Sequence, residues 1–213
     1  MERFTLYPNH FLKRQVNAFY NRPYVGYQQP GNPDFLNTLK NQFRNKDTKT
    51  LEQAAQEVRA VLAEDLPAIP KILGLETMTV CVVPRAKREK FYREDQRLFR
   101  KAVQQVVSTC PVLLDGTFYI QRHTNTRTTH IRRRRDTDGD SPYPGITRAT
   151  CHLSERIRGQ NILLVDDIYT AGVNVDEDAI QALYDVGARS VTLYVVARTM
   201  RRGVEWVKVE LIG

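Results

Sequence analysis

The chain has 213 residues with 32 Lys/Arg against 24 Asp/Glu, a formal net charge of +8. That length suits one α/β domain with a sizeable core. No apolar run approaches the roughly 18 residues of a membrane span, and the opening MERFTLYPNHFLKRQ lacks the apolar core of a secretion signal, so a soluble cytoplasmic protein with no membrane partner is expected. Cys81, Cys110 and Cys151 show no paired spacing, which argues against disulfides and zinc and for free thiols in a reducing compartment.

The charge is unevenly laid out. Residues 136–213 carry 8 Lys/Arg and 12 Asp/Glu, so the basic excess lies in the front part. Such asymmetry fits nucleic acid, and it fits equally a polyanionic small substrate gathered by a basic rim.

Residues 1–33 mix aromatics with Asn, Gly and Pro and read as irregular structure or short strands. Asp34 is placed to cap a helix carrying Phe35, Leu39 and Phe43. Thr50 with Gln53 has capping-box spacing for a second helix carrying Leu51, Ala54, Val58, Val61 and Leu62, closed by Pro67 and Pro70. This pair reads as a lid or a buttress on a sheet, within an N-terminal hood or helical lobe over residues 1–70 that precedes a core over residues 71–213.

The run MTVCVV, residues 78–83, has the composition of a strand buried on both faces, and it enters a basic turn, Pro84, Arg85, Ala86 and Lys87. Ligands of open parallel sheets collect at strand carboxyl ends, so this turn should border a crevice. A helix is expected from about Arg93 to Ser108, burying Phe99, Ala102, Val103, Val106 and Val107. The extended segment PVLLDGTFYI follows, with a turn at Asp115 and Gly116. Residues 122–141 are too polar to bury. Their Arg132 to Arg135 run fits a nucleic-acid patch, a solvated charge run or part of a mobile lid over an anionic leaving group.

A short strand is expected over residues 149–153, and Gly159 turns the chain into a central strand at residues 162–165 that ends in Asp166 and Asp167. Thr170, Ala171, Gly172, Val173 and Asn174 then form a turn whose backbone N–H groups can converge on an anion. Asn174 is expected to cap a helix with Val175, Ala179, Leu183 and Val186 on one face, its dipole adding to the pull on a phosphate. Acceptors for sugar hydroxyls thus stand beside donors for a phosphate, a combination that fits a ribose 5-phosphate. Gly187 ends the helix, SVTLYVVA is a further buried strand, and VEWVKVELI reads as an edge strand in which Trp206 fits core or rim packing better than acceptor stacking.

The stretch NILLVDDIYTAGVN resembles the 5-phosphoribosyl-1-pyrophosphate (PRPP) signature of the type I phosphoribosyltransferases. Tyr169 stands where an aliphatic residue is usual, and Asn174 where a hydroxyl residue is usual. FLNTLKNQFRNKD, VVPRAK, YREDQ, IQRHTNTRT and VVART resemble, more loosely and in the same order, segments of the ComF-type branch, whose cysteine zinc ribbon has no counterpart here. The resemblance implies a doubly wound, mostly parallel α/β sheet with helices on both faces and a small hood. It implies catalytic roles for Asp166, Asp167 and Arg85, with the two acids on the ribose hydroxyls. The 5-phosphate falls to residues 170–174, and pyrophosphate to Pro84, Arg85, Ala86, Lys87, Arg122 and Arg127. It also implies Mg²⁺ at Asp166, in part through water. The expected partners are PRPP, a nitrogen-containing small-molecule acceptor and a second copy of the chain in a homodimer. The alternative is a non-catalytic, PRPP-sensing regulator that contacts nucleic acid.

Overall fold

The computed structural model describes residues 1–126 and 145–200. Arg127, the Arg132 to Arg135 run, most of the expected lid, the VEWVKVELI segment and Trp206 lie outside the described residues.

Among the described residues, eight strands and five α-helices follow in chain order: β1 (Glu2–Leu6), β2 (Val16–Tyr24), α1 (Asp34–Lys40), α2 (Thr48–Asp65), α3 (Ala68–Ile72), β3 (Met78–Val82), α4 (Leu98–Ser108), β4 (Leu113–Asp115), β5 (Ile120–Arg122), β6 (Cys151–Leu153), β7 (Asn161–Tyr169), α5 (Val175–Val186) and β8 (Ser190–Thr199). Six strands form one sheet in the order β1-β2-β8-β7-β3-β4, while β5 and β6 pair separately and antiparallel. Every neighbour in the six-stranded sheet is parallel except β1 with β2. This is an α/β architecture with a mostly parallel sheet.

The burial pattern follows from strand alternation, which sends successive side chains to opposite faces. On β7, Ile162 and Leu164 join a core with Ala179, Ile180, Leu183 and Val186 of α5, with Cys81 of β3 and with Ile120, Cys151 and Leu153 of the small sheet. Leu163 and Val165 join the opposite core, built with Phe35, Leu36 and Leu39 of α1, Val58 and Leu62 of α2, and Val103 and Val107 of α4. Helices therefore cover both faces. The α2 residues Leu51, Ala54, Val58, Val61 and Leu62 are buried at helical spacing. Each large aliphatic removed from water there contributes about 1.5–3 kcal/mol.

Several local expectations are corrected. Irregular structure or short strands over residues 1–33 fits β1 but not β2, whose nine residues pair with β8 inside the main sheet. The polar Asn21 that obscures β2 is used: its amide donates at 2.9 Å to Asp65 Oδ2 on α2, which also accepts from Tyr194 Oη at 2.7 Å. Asp34 is the first residue of α1 rather than its cap, because Pro33 precedes the helix and the Asp34 carboxylate turns back to accept from the Gln28 N–H. The cap of α2 is Asp47, which accepts from the N–H and the hydroxyl of Thr50, each at 2.8 Å. Pro67 closes α2, whereas Pro70 lies inside the short α3. The helix expected from Arg93 starts at Leu98, after a single 3₁₀ turn at Glu94–Gln96. Gly187 does end α5, at φ +105°, where its N–H reaches the Leu183 and Tyr184 carbonyls.

Candidate functional site

The connections leaving two adjacent strands create a crevice. From β3 the chain runs through α4 on one face to β4, while from its neighbour β7 it runs through α5 on the other face to β8. Helices departing to opposite sides leave a gap beyond the carboxyl ends of the two strands, the place where open α/β sheets bind ligands. The last register contact is Val83 N–H to Val165 O, 3.0 Å. Beyond it β3 passes into residues 84–87, and β7 continues through Asp166 and Asp167.

The expectation that the strand stops at Val165 is corrected. β7 continues to Tyr169, paired with β8 as far as Arg198. Alternation then sends the two acids to opposite sides. Asp166 falls on the α5 side, where it shares a hydrogen bond with Asp176, a buried residue of the first turn of α5. Burial, and after it the Asp167 carboxylate, push the Asp166 carboxyl up to about 7, against the opposing pull of the Asp167 N–H and of Lys40. Burial, then Asp166 and Glu177, hold Asp176 well above the usual carboxylate range. Each carboxyl thus disfavours the charged form of the other. Asp167 falls on the α1 side, where its Oδ2 lies 3.0 Å from Lys40 Nζ and its Oδ1 accepts from the Ile168 N–H at 2.7 Å.

The turn at residues 170–174 closes through Val173 N–H to Thr170 O, 3.1 Å. Gly172 stands at φ +85° with nothing within 4 Å of where a side chain would project, so the backbone conformation rather than crowding calls for glycine there. The Thr170 and Thr199 hydroxyls meet at 2.6 Å. Asn174 precedes α5 in a left-handed conformation and makes no side-chain cap; its amide donates to the Gly172 carbonyl at 3.1 Å. The capping expected of it is therefore corrected. Asp176, Glu177 and Asp178 occupy the first turn of α5 and work against the pull of the helix dipole on a phosphate. They turn inward: Glu177 accepts from Tyr169 Oη at 2.9 Å, and Asp178 from the Ile146 N–H at 2.6 Å. Tyr169 thereby fastens the end of β7 to α5, and its ring packs against Phe4 at 5.3 Å.

The basic turn is held rather than loose. Arg85 donates to Gln96 O at 2.8 Å and to Lys40 O at 3.3 Å, and its guanidinium lies 4.3 Å from the centre of the Tyr92 ring. Ala86 O accepts from the Thr126 N–H at 2.8 Å, and the Lys87 N–H donates to Tyr92 Oη at 3.0 Å. Arg122 does reach this turn, donating to Arg85 O at 2.8 Å and to Gly145 O at 2.9 Å. It is a buried residue of β5, and desolvation lowers its pKa. The expectation of a polar lid beginning at Arg122 is thus corrected for residues 122–126, which the small sheet and Ala86 hold in place.

Sequence reasoning missed Lys40, Asp176 and Tyr92. Lys40 reads as a basic residue complementing a helix end, and only the fold brings it to Asp167. Tyr92 sits in a charged run without periodicity. Asp176 carried a signal, since an acid one residue past a cap can face back toward the preceding strand. Among the described residues no three His, Cys, Asp or Glu are placed to hold a metal ion together, and no helix is long and apolar enough to cross a membrane.

The fold defines an α/β protein whose mostly parallel sheet has a topological switch point between β3 and β7. No family model matches the chain, and no curated protein matches it.

Proposed function

We propose that the chain is a type I phosphoribosyltransferase that binds Mg-PRPP and transfers the 5-phosphoribosyl group to a nitrogen acceptor, releasing pyrophosphate. The observation that carries this reading is the pairing of β3 with β7 at the switch point. One strand delivers a basic turn, and the other delivers two acids followed by a glycine turn. The three parts of PRPP, a pyrophosphate, a diol and a 5-phosphate, ask for those three features in that order along the crevice.

In the reaction the bond from C1 to the pyrophosphate oxygen breaks, and its electron pair leaves with pyrophosphate. The acceptor nitrogen supplies the pair for the new bond to C1 and afterwards loses its proton. Asp166 is the carboxylate that would hold a Mg²⁺ ion, in part through water, and the ion would supply positive charge to the departing group. That arrangement would suit a site where, among the described residues, no three ligating side chains converge and buried Asp176 neighbours Asp166. The chain's own contribution is electrostatic and positional. Asp166 and Asp167 accept from the ribose hydroxyls, the 84–87 turn faces the leaving group, and residues 170–174 hold the 5-phosphate away from the reacting carbon.

One observation favours the regulator reading. The Arg85 guanidinium is stacked on Tyr92 and bonded to two carbonyls, which keeps its charge back from a leaving group. Calorimetric titration with Mg-PRPP, followed by pyrophosphate release in the presence of purine and pyrimidine bases, nicotinic acid and simple amines, separates the readings. Binding with turnover is the expected result, binding without turnover favours the sensor, and no heat with Mg-PRPP rejects both.

A further inference from the structure

We propose that Lys40 is an exchangeable counter-ion: it pairs with Asp167 and passes to the pyrophosphate when a ribose diol takes its place. The inference rests on the phosphoribosyl reading and adds to it a role for a residue that the sequence reading left without one.

Lys40 is anchored at its backbone and not at its tip. The chain turns sharply after it at Asn41, a non-glycine residue at φ +34°. That turn is fixed by Asn41 Nδ2 to Asp95 Oδ2 at 2.8 Å, and by Gln96 Nε2 to the Asn41 carbonyl at 3.2 Å. Arg85 ties the Lys40 carbonyl to the basic turn. The end of α1 is thereby held against the segment assigned to pyrophosphate, while the four-carbon side chain remains a flexible arm carrying a point charge.

The arm's present partner is poorly chosen for permanence. Asp167 Oδ1 is already used by the Ile168 N–H, so Lys40 covers the remaining oxygen, the one a ribose hydroxyl would approach. The pair is one-fifth exposed at both side chains, so ligand oxygens can reach it without unfolding anything. A diol donates two hydrogen bonds and leaves the carboxylate charged, whereas pyrophosphate offers an ammonium several anionic oxygens. When both parts of one ligand arrive together, the exchange keeps every charge partnered, and either part alone accomplishes half of it.

The test titrates Mg-pyrophosphate and ribose 5-phosphate separately into the wild type and into Lys40→Met, Lys40→Arg and Asp167→Asn, with melting temperatures measured in parallel. Lys40→Met is expected to weaken pyrophosphate by about tenfold or more, the worth of a charge-assisted contact, while ribose 5-phosphate binds as well as before or more tightly because its competitor is gone. Lys40→Arg should recover most of the pyrophosphate affinity. Asp167→Asn should show the reverse pattern, with ribose 5-phosphate weakened and pyrophosphate retained, and it carries the test alone should Lys40→Met not fold. Pyrophosphate binding unchanged in Lys40→Met, or both ligands weakened equally in either variant, overturns the exchange and leaves the phosphoribosyl reading standing. A wild type that binds neither ligand overturns both.

Discussion

Asp166→Asn should make the protein more stable at alkaline pH while damaging its site. The Asp166 carboxyl is raised from the usual value near 3.8 to about 7, by burial first and by Asp167 second. Between those pH values the folded chain holds a proton that the unfolded chain has released. Stability therefore falls as pH rises through the window, from full below about 4 to its lowest above about 7. With roughly three pH units at about 1.4 kcal/mol each, the penalty has an upper bound of about 4 kcal/mol, and about 2 kcal/mol after allowance for the interaction with Asp176. An Asn at this position cannot ionise, and its amide can donate to Asp176, whose Oδ1 is buried without a partner. The variant should match the wild type near pH 4 and exceed it by about 2 kcal/mol at pH 8, which for a domain of this size raises the melting temperature by about 4–8 °C. Urea unfolding of both proteins at half-unit steps of pH measures the difference directly. A variant no more stable than the wild type at pH 8, or a gap that does not widen with pH, would refute the reasoning.

Gly172→Ala should cost about 1 kcal/mol, because the residue stands at φ +85°. Its added methyl projects into open space beside residues 170–174, where the phosphoribosyl reading puts the 5-phosphate, so calorimetry should show ribose 5-phosphate binding falling further than the urea midpoint does. Arg122→Met should lower stability by about 2–4 kcal/mol, since it removes two charge-assisted donors and leaves the Arg85 and Gly145 carbonyls with less satisfaction in a buried place. Arg122→Lys should rescue little of this in a thermal melt, because one ammonium cannot reproduce a fork aimed at two carbonyls.

The core of the sheet was legible because β3, β7 and β8 are nearly continuous apolar runs, and a run of that kind announces a strand covered on both faces. β2 was not, for its Asn17, Asn21, Arg22 and Pro23 break the pattern, and their partners lie on distant elements such as the α2 residue Asp65. Capping was misplaced by one residue at α1 and by three at α2, since several Asp, Asn and Thr side chains compete near each helix start, while at α5 the cap position was right and only its side-chain bond is missing. At the site, the acids, the glycine turn and the basic turn could be read from the chain. Their orientation could not, because whether a strand ends at Val165 or runs on to Tyr169 depends on pairing with β8.

That orientation changes what two adjacent acids can do. Had both pointed into the crevice as free carboxylates, they would have repelled any ligand rich in phosphate, and like charges at such separations oppose binding by several kcal/mol. Facing opposite sides, they are neutralised by two different means. Burial beside Asp176 disfavours the charged form of Asp166, and Asp167 is neutralised by the Lys40 ammonium. On the phosphoribosyl reading a polyanion would therefore meet little net charge from either carboxyl. Asp167 would regain acceptor strength by releasing its ammonium, and Asp166 by ionising as the ligand binds. Because the devices are separate, their losses should be felt separately. The ionisation of Asp166 on the α5 side governs how the site responds to pH, and the ammonium on the α1 side governs how it responds to the anionic part of the ligand.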